Sequence, residues 1–154
     1  MKTFVDKQNR SWEVSLTVGS AKRVRDLLGV NLLEPEAGEP PLVTRIGTDE
    51  MLLCDIIYCI CKPQADKLDL TDEQFGELLC GDVILAAQEA FYAEMLDFFH
   101  QRGRMDRAAA IRKQMEVIRL SVARAEKEIG KFEIEEMVEK AFGPSSTSSP
   151  ESSE

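Results

Sequence analysis

Across 154 residues the chain has one histidine, one tryptophan and two tyrosines, and aromatics make up only 6% of it. Its four cysteines, Cys54, Cys59, Cys61 and Cys80, include no C-x-x-C pair, and with a lone histidine they lack the spacing of a zinc site. The nucleophile elbow G-x-S-x-G, a phosphate-cradling glycine loop and H-E-x-x-H are all missing. No apolar run approaches the roughly 18 residues of a membrane span. The first residues carry Asp6 and Glu13 instead of the apolar stretch of a secretory signal, so a cytoplasmic address is expected. Reduced, buried cysteines are expected with it.

Charge is present in quantity, and its order matters more than the net −9. Residues 1–33 hold six basic and three acidic groups, and residues 34–100 hold three and fifteen. Residues 101–132 reverse the sign with nine and four, and residues 133–154 return to one and six. An acidic body beside a basic helical arm disfavours nucleic acid as a partner, because neutralising phosphates requires a basic face free of competing carboxylates.

Hydropathy then divides the chain. Phe4 and Val5 begin a strand. Asp6 to Arg10 have turn composition, with Asn9 tolerant of positive φ. Trp12, Val14, Leu16 and Val18 alternate with polar residues as a second strand with one buried face. Ser20 is placed to cap a short helix with Ala21, Val24, Leu27 and Leu28 on its apolar face and Gly29 closing it. A hairpin and one short helix cannot bury a core alone, so this block must dock on the helices later in the chain.

Glu34 to Pro41 read as a loop, and Leu42, Val43 and Ile46 fit either an extended piece or a helical turn. Thr48 offers a cap for a central helix from Met51 to Cys61, which Pro63 should stop. Thr71 and Gln74 have capping-box spacing, ahead of a helix that buries Phe75, Leu78 and Leu79. After the break at Gly81-Asp82, Ile84, Ala87, Phe91, Met95 and Phe98 mark a second long helix, expected to pack against Met51–Cys61. His100, at its end, suits an interaction with the helix carboxyl terminus better than a role as a base.

Beyond Gly103 the pattern narrows to a heptad seam. Ala108, Ile111, Met115, Ile118, Val122, Ala125, Ile129 and Phe132 alternate at spacings of three and four. Such a stripe suits a coiled-coil partner, a protomer interface or packing back along the domain, and the residues leave these open. Gly130 weakens the helix. Ile134, Met137, Val138, Ala141 and Phe142 then form an acidic amphipathic helix ended by Gly143-Pro144, and the serine-rich remainder is expected to be disordered. The expected fold class is α+β, mostly α: an N-terminal β-hairpin docked on about five to six helices, a long heptad-patterned C-terminal helix and a disordered tail. The expected divisions are 1–102 for the hairpin and helical body, 103–142 for the helical extension and 143–154 for the tail.

Thr3 to Leu33, TFVDKQNRSWEVSLTVGSAKRVRDLLGVNLL, together with LLCDIIYCICKPQADKLDLTDEQFGELLCGD, resembles small proteins encoded in the tail-gene region of long-tailed bacteriophages and prophages, whose best functional analogy is to tail assembly chaperones. The likeness covers roughly Phe4 to Phe99 and consists of packing and capping residues. It implies a factor in the host bacterial cytoplasm that binds the tape measure protein and the tail tube protein. Neither an enzymatic activity nor a cofactor or metal is expected. A structural virion component, such as a tail completion or connector subunit, is the alternative, followed by a small host-directed regulator. Candidate partner-binding residues are Ile111, Met115, Ile118, Val122, Ile129, Ile134, Met137, Val138 and Phe142, with self-association possible through the heptad helix.

Overall fold

The structure, a computed structural model, describes residues 1–131 and 134–143. It is α+β and mostly helical, with an antiparallel hairpin, β1 (Lys2–Val5) and β2 (Ser11–Val14), followed by α1 (Val18–Leu28), α2 (Leu42–Thr48), α3 (Glu50–Lys67), α4 (Asp72–Leu78), α5 (Val83–Gln101), α6 (Met105–Gly130) and α7 (Ile134–Phe142). Two compact units divide the chain at Val117 and Ile118. The serine-rich tail, Phe132 and Glu133 lie outside the described residues.

Trp12 organises the first unit. It pairs with Phe4 across the hairpin at 6.4 Å, and Phe75 of α4 meets it edge-on at 5.0 Å. Its indole N–H donates to Asp6 Oδ2 at 2.9 Å. That buried carboxylate also accepts from the Gln8 and Arg10 amides and from Arg10 Nε, which shapes the turn and leaves Asn9 at φ 62°. Burial alone pushes the Asp6 carboxyl up, but the hydrogen bonds, led by that of Trp12, outweigh it and hold the group at about 2.

The second strand is shorter than its alternation suggests. Glu94, set among Phe91, Met95 and Phe98 on α5, accepts the Leu16 amide at 2.9 Å, and the chain leaves the sheet. Val18, expected in the buried stripe, is instead the first residue of α1 and 46% exposed. The cap is Thr17 and not Ser20. Thr17 Oγ1 accepts from the Ser20 amide while Ser20 Oγ accepts from the Thr17 amide, so Ser20 closes a capping box from its third position. Ser20, Ala21 and Val24 form the buried face of α1, and Leu27 is exposed. Gly29, at φ 72°, closes the helix as expected.

Leu42, Val43 and Ile46 prove helical and are buried in α2. Thr48 belongs to that helix, its hydroxyl donating back to the Thr44 carbonyl, so the cap of α3 passes to Asp49, whose Oδ1 accepts from the Leu52 amide at 3.1 Å. Pro63 does not stop α3, which continues to Lys67. A proline at this position removes the donor for the Cys59 carbonyl one turn earlier. Arg23 of α1 replaces it, donating from Nη1 to Cys59 O at 2.8 Å and reaching Ile60 O at 3.3 Å.

One residue later, Gln64 does similar work for the sheet. Its Nε2 donates to Ser11 O at 2.8 Å and its Oε1 accepts from the Glu13 amide at 3.3 Å, so one side-chain amide occupies the place of a neighbouring peptide on the outer edge of β2. The capping box of Thr71 and Gln74 forms as expected, and Phe75 and Leu79 are buried behind it. The second long helix, α5, packs on α3 and, more extensively, on β1, where Lys2 pairs with Asp97 at 2.7 Å.

Candidate interaction surface

The chain turns from α5 into α6 over Gly103, at φ 70°, with the Arg104 amide donating to Phe99 O at 2.9 Å. Arg102 stacks on the Phe98 ring at 4.3 Å. Arg104 makes paired bonds to Asp106, and Arg107 makes paired bonds to Glu36. Leu33, Phe98, Phe99 and these three arginines line a cavity of about 410 Å³. His100 lies at the end of α5, where its Nε2 sits 3.1 Å from an Arg112 guanidinium nitrogen and acts as the acceptor of that contact.

The heptad seam runs along α6 through both units. In the first unit Ala108 and Ile111 are buried, Gln114 is buried beside them, and Met115 is half-buried. In the second unit Ile118 is half-buried, while Val122, Ala125 and Ile129 are exposed. The heptad spacing is therefore one pattern with two environments. Ile111 belongs to the closed core and is removed as a partner-binding candidate, because a side chain with no exposed surface offers nothing to a partner.

Gly130 ends α6, and α7 begins at Ile134. Gly143, at φ 78°, closes α7 with its amide on Glu139 O at 2.8 Å. Ile134, Met137, Val138 and Phe142 are all exposed. The spacing of Ile134, Val138 and Ala141 puts them on one face, with Met137 and Phe142 at its margins and Glu136 and Glu139 behind it. The result is an apolar strip with a charged back.

The cysteines are not arranged alike. Cys59 and Cys61 are buried and Cys54 is half-buried, whereas Cys80, expected inside, is exposed because α4 ends at Leu78 and leaves it in the following loop. Burial pushes the Cys61 thiol up to about 12 and also raises Cys54 and Cys59, which favours the protonated form of each. Among the described residues, no group of three or more His, Cys, Asp or Glu is placed to hold a metal ion. Among them, too, no helix is long and apolar enough to cross a membrane.

Three side chains that matter most to the architecture, Arg23, Gln64 and Glu94, are absent from the candidates read in the sequence. A signal existed for two of them. Glu94 interrupts the apolar face of α5 at a core position, and Pro63 inside an apolar helical pattern demands a donor from elsewhere. Protein-family models, curated proteins and solved structures give no match to the chain.

Proposed function

We propose that the protein is an assembly chaperone of the phage tail type, which binds the tape measure protein, the tail tube protein or both in the cytoplasm of the host bacterium. It holds them through the apolar faces of its carboxyl-terminal helices and releases them as the tail is built. Its role is binding, without catalysis and without a cofactor. The observation that carries this reading is the exposure of Val122, Ile129, Ile134, Met137, Val138 and Phe142 on two amphipathic helices, in a protein whose first unit is closed around Trp12. Surface apolar residues in such numbers on consecutive helices favour a partner. The resemblance of the first hundred residues to phage tail-region proteins supplies the identity of that partner.

Co-expression with tape measure and tail tube proteins, followed by affinity capture, tests the reading. The tail protein should co-purify with the native chain and be lost with Val138→Glu. Failure to retain either protein overturns it. Purified particles supply the second arm, because a chaperone is absent from them, whereas fixed stoichiometry in the particle makes the chain a virion subunit.

A further inference from the structure

Three arginines converge where α5 turns into α6, around the cavity of about 410 Å³ that they line together with Leu33, Phe98 and Phe99. Two of them are held in place by paired bonds from Nε and Nη2. Arg104 bonds Asp106 at 3.0 and 2.7 Å, Arg107 bonds Glu36 at 2.9 and 3.0 Å, and neither pair uses Nη1. Arg102 differs. It is exposed, its guanidinium carbon lies 4.3 Å from the centre of the Phe98 ring, and among the described residues no carboxylate pairs with it. Arg102, Arg104 and Arg107 are thus set against Asp106 and Glu36 alone, which leaves one positive charge in surplus beside two aromatic rings and a leucine. The volume falls within the roughly 300–1,000 Å³ of small-ligand sites.

We propose that this cavity binds a single carboxylate carried on an aromatic or branched apolar group, as found in a free organic acid or in the last residue of a polypeptide. Arg102 receives the carboxylate. Its planar fork matches two carboxylate oxygens at once, and its charge is the one that no acidic side chain offsets. Leu33, Phe98 and Phe99 give the apolar group a surface to cover, and the Nη1 groups left over on Arg104 and Arg107 add positive charge that the Asp106 and Glu36 bonds keep in position. The charge balance selects a monoanion. A phosphate dianion or a nucleic-acid backbone brings further negative charge against Asp106 and Glu36 with no further cation to offset it. The site lies wholly in the first unit and does not rest on the tail-assembly reading.

Titration of the isotope-labelled full chain with hydrocinnamate, a phenyl ring on a short chain ending in a carboxylate, tests it by nuclear magnetic resonance. Shift changes should concentrate on Leu33, Phe98, Phe99 and the three arginines. Hydrocinnamide keeps the ring without the charge, and acetate keeps the charge without the ring. Each should bind on the order of tenfold more weakly than hydrocinnamate. Arg102→Gln should weaken hydrocinnamate by a similar factor while Trp12 emission and thermal unfolding stay unchanged, and Arg102→Lys should recover only part of the loss, because an ammonium cannot make the paired contact. N-acetyl-diglycyl-phenylalanine then separates the sources: binding tighter than that of hydrocinnamate assigns the site to a polypeptide terminus, and equal or weaker binding assigns it to a free acid. The proposal is overturned by an absence of saturable hydrocinnamate binding up to about 10 mM. It is overturned equally by acetate, inorganic phosphate or the amide binding as tightly as hydrocinnamate, by shifts centred elsewhere, or by a folded Arg102→Gln variant that binds as the native chain does. The ligand series on the native chain decides the matter even if the variant fails to fold.

Discussion

Trp12 and Phe142 are both aromatic residues on amphipathic elements, yet the first has no exposed surface and the second is 83% exposed. The difference lies in what surrounds each element, not in its own pattern. β2 meets β1 on one edge, Gln64 on the other and α3 and α5 on its inner face, so its apolar side chains find a complete set of neighbours. The seam of α6 is buried at Ala108 and Ile111 in the first unit and exposed at Val122 and Ile129 in the second. An apolar stripe marks a face suited to burial, and only the fold decides whether the same chain covers it.

The comparison breaks most sharply at Trp12. Trp12→Ala should destabilise the first unit by about 3 to 5 kcal/mol, the range for emptying a large aromatic site in a closed core. Chemical denaturation followed by far-ultraviolet circular dichroism measures it. The native chain should show blue-shifted tryptophan emission that moves red on unfolding, and emission like that of free tryptophan in the native state would contradict the burial.

Asp6 ranks next, since it holds the indole and the turn together. Its folded value of about 2 lies below the ordinary carboxylate range. The stabilisation it contributes is therefore complete above about pH 4 and is lost as the pH falls through about 2. We expect that contribution to be about 2 kcal/mol at neutral pH, and Asp6→Asn to abolish the corresponding part of the acid sensitivity. If the native chain and the asparagine variant lose stability in parallel between these pH values, the carboxylate is not the group responsible.

Arg23 and Pro63 allow a more selective break. Arg23→Met leaves the Cys59 carbonyl without a donor and should cost about 1 to 3 kcal/mol. In a Pro63→Ala background the alanine amide supplies the helical hydrogen bond, so the same arginine substitution should cost clearly less. A double-mutant cycle reads the difference directly. Additive losses would mean that Arg23 acts through packing and not through this carbonyl.

These three groups also mark how much of the fold is legible in the chain. Period-two alternation places the hairpin, the Thr71-Gln74 spacing places the capping box, and three-four spacing places the long helices, because each is a local rule that needs no knowledge of neighbours. Thr48, Ser20 and Pro63 depart from their local signals for one reason. In each case a competing group decides the outcome: Asp49 in extended backbone, Thr17 one turn earlier, and Arg23 from another helix. Val18 and Cys80 show the same limit at element ends, where pattern continues past the point at which the backbone turns away. The candidate partner residues divide similarly. Val122, Ile129 and the apolar residues of α7 are exposed, whereas Ile111, carried along by the same periodicity, lies in the core.

Gln64→Ala gives a smaller effect, of about 1 kcal/mol, from the loss of two hydrogen bonds at the outer edge of β2. Its more informative consequence is in solution behaviour. With Ser11 O and the Glu13 amide uncovered, the strand presents an unpaired edge, and the variant should aggregate faster than the native chain on gentle warming. Light scattering at matched stability measures this, and equal aggregation rates would show that the edge is protected by other means.

The smallest expected effect on folding is at the other end of the comparison. Phe142→Ser removes a large aromatic group, but from a position 83% exposed in the second unit, so the unfolding of the first unit, followed through Trp12, should change by less than about 0.5 kcal/mol. The same substitution at a core aromatic such as Phe75 should cost several times more, because it leaves a cavity against Trp12 and Tyr58. Partner binding should reverse that order, with Phe142→Ser weakening capture of a tail protein although it leaves the body intact. A Phe142 variant that unfolds the first unit would mean that α7 is part of the core in solution, and the distinction between a closed body and an offered face would no longer hold.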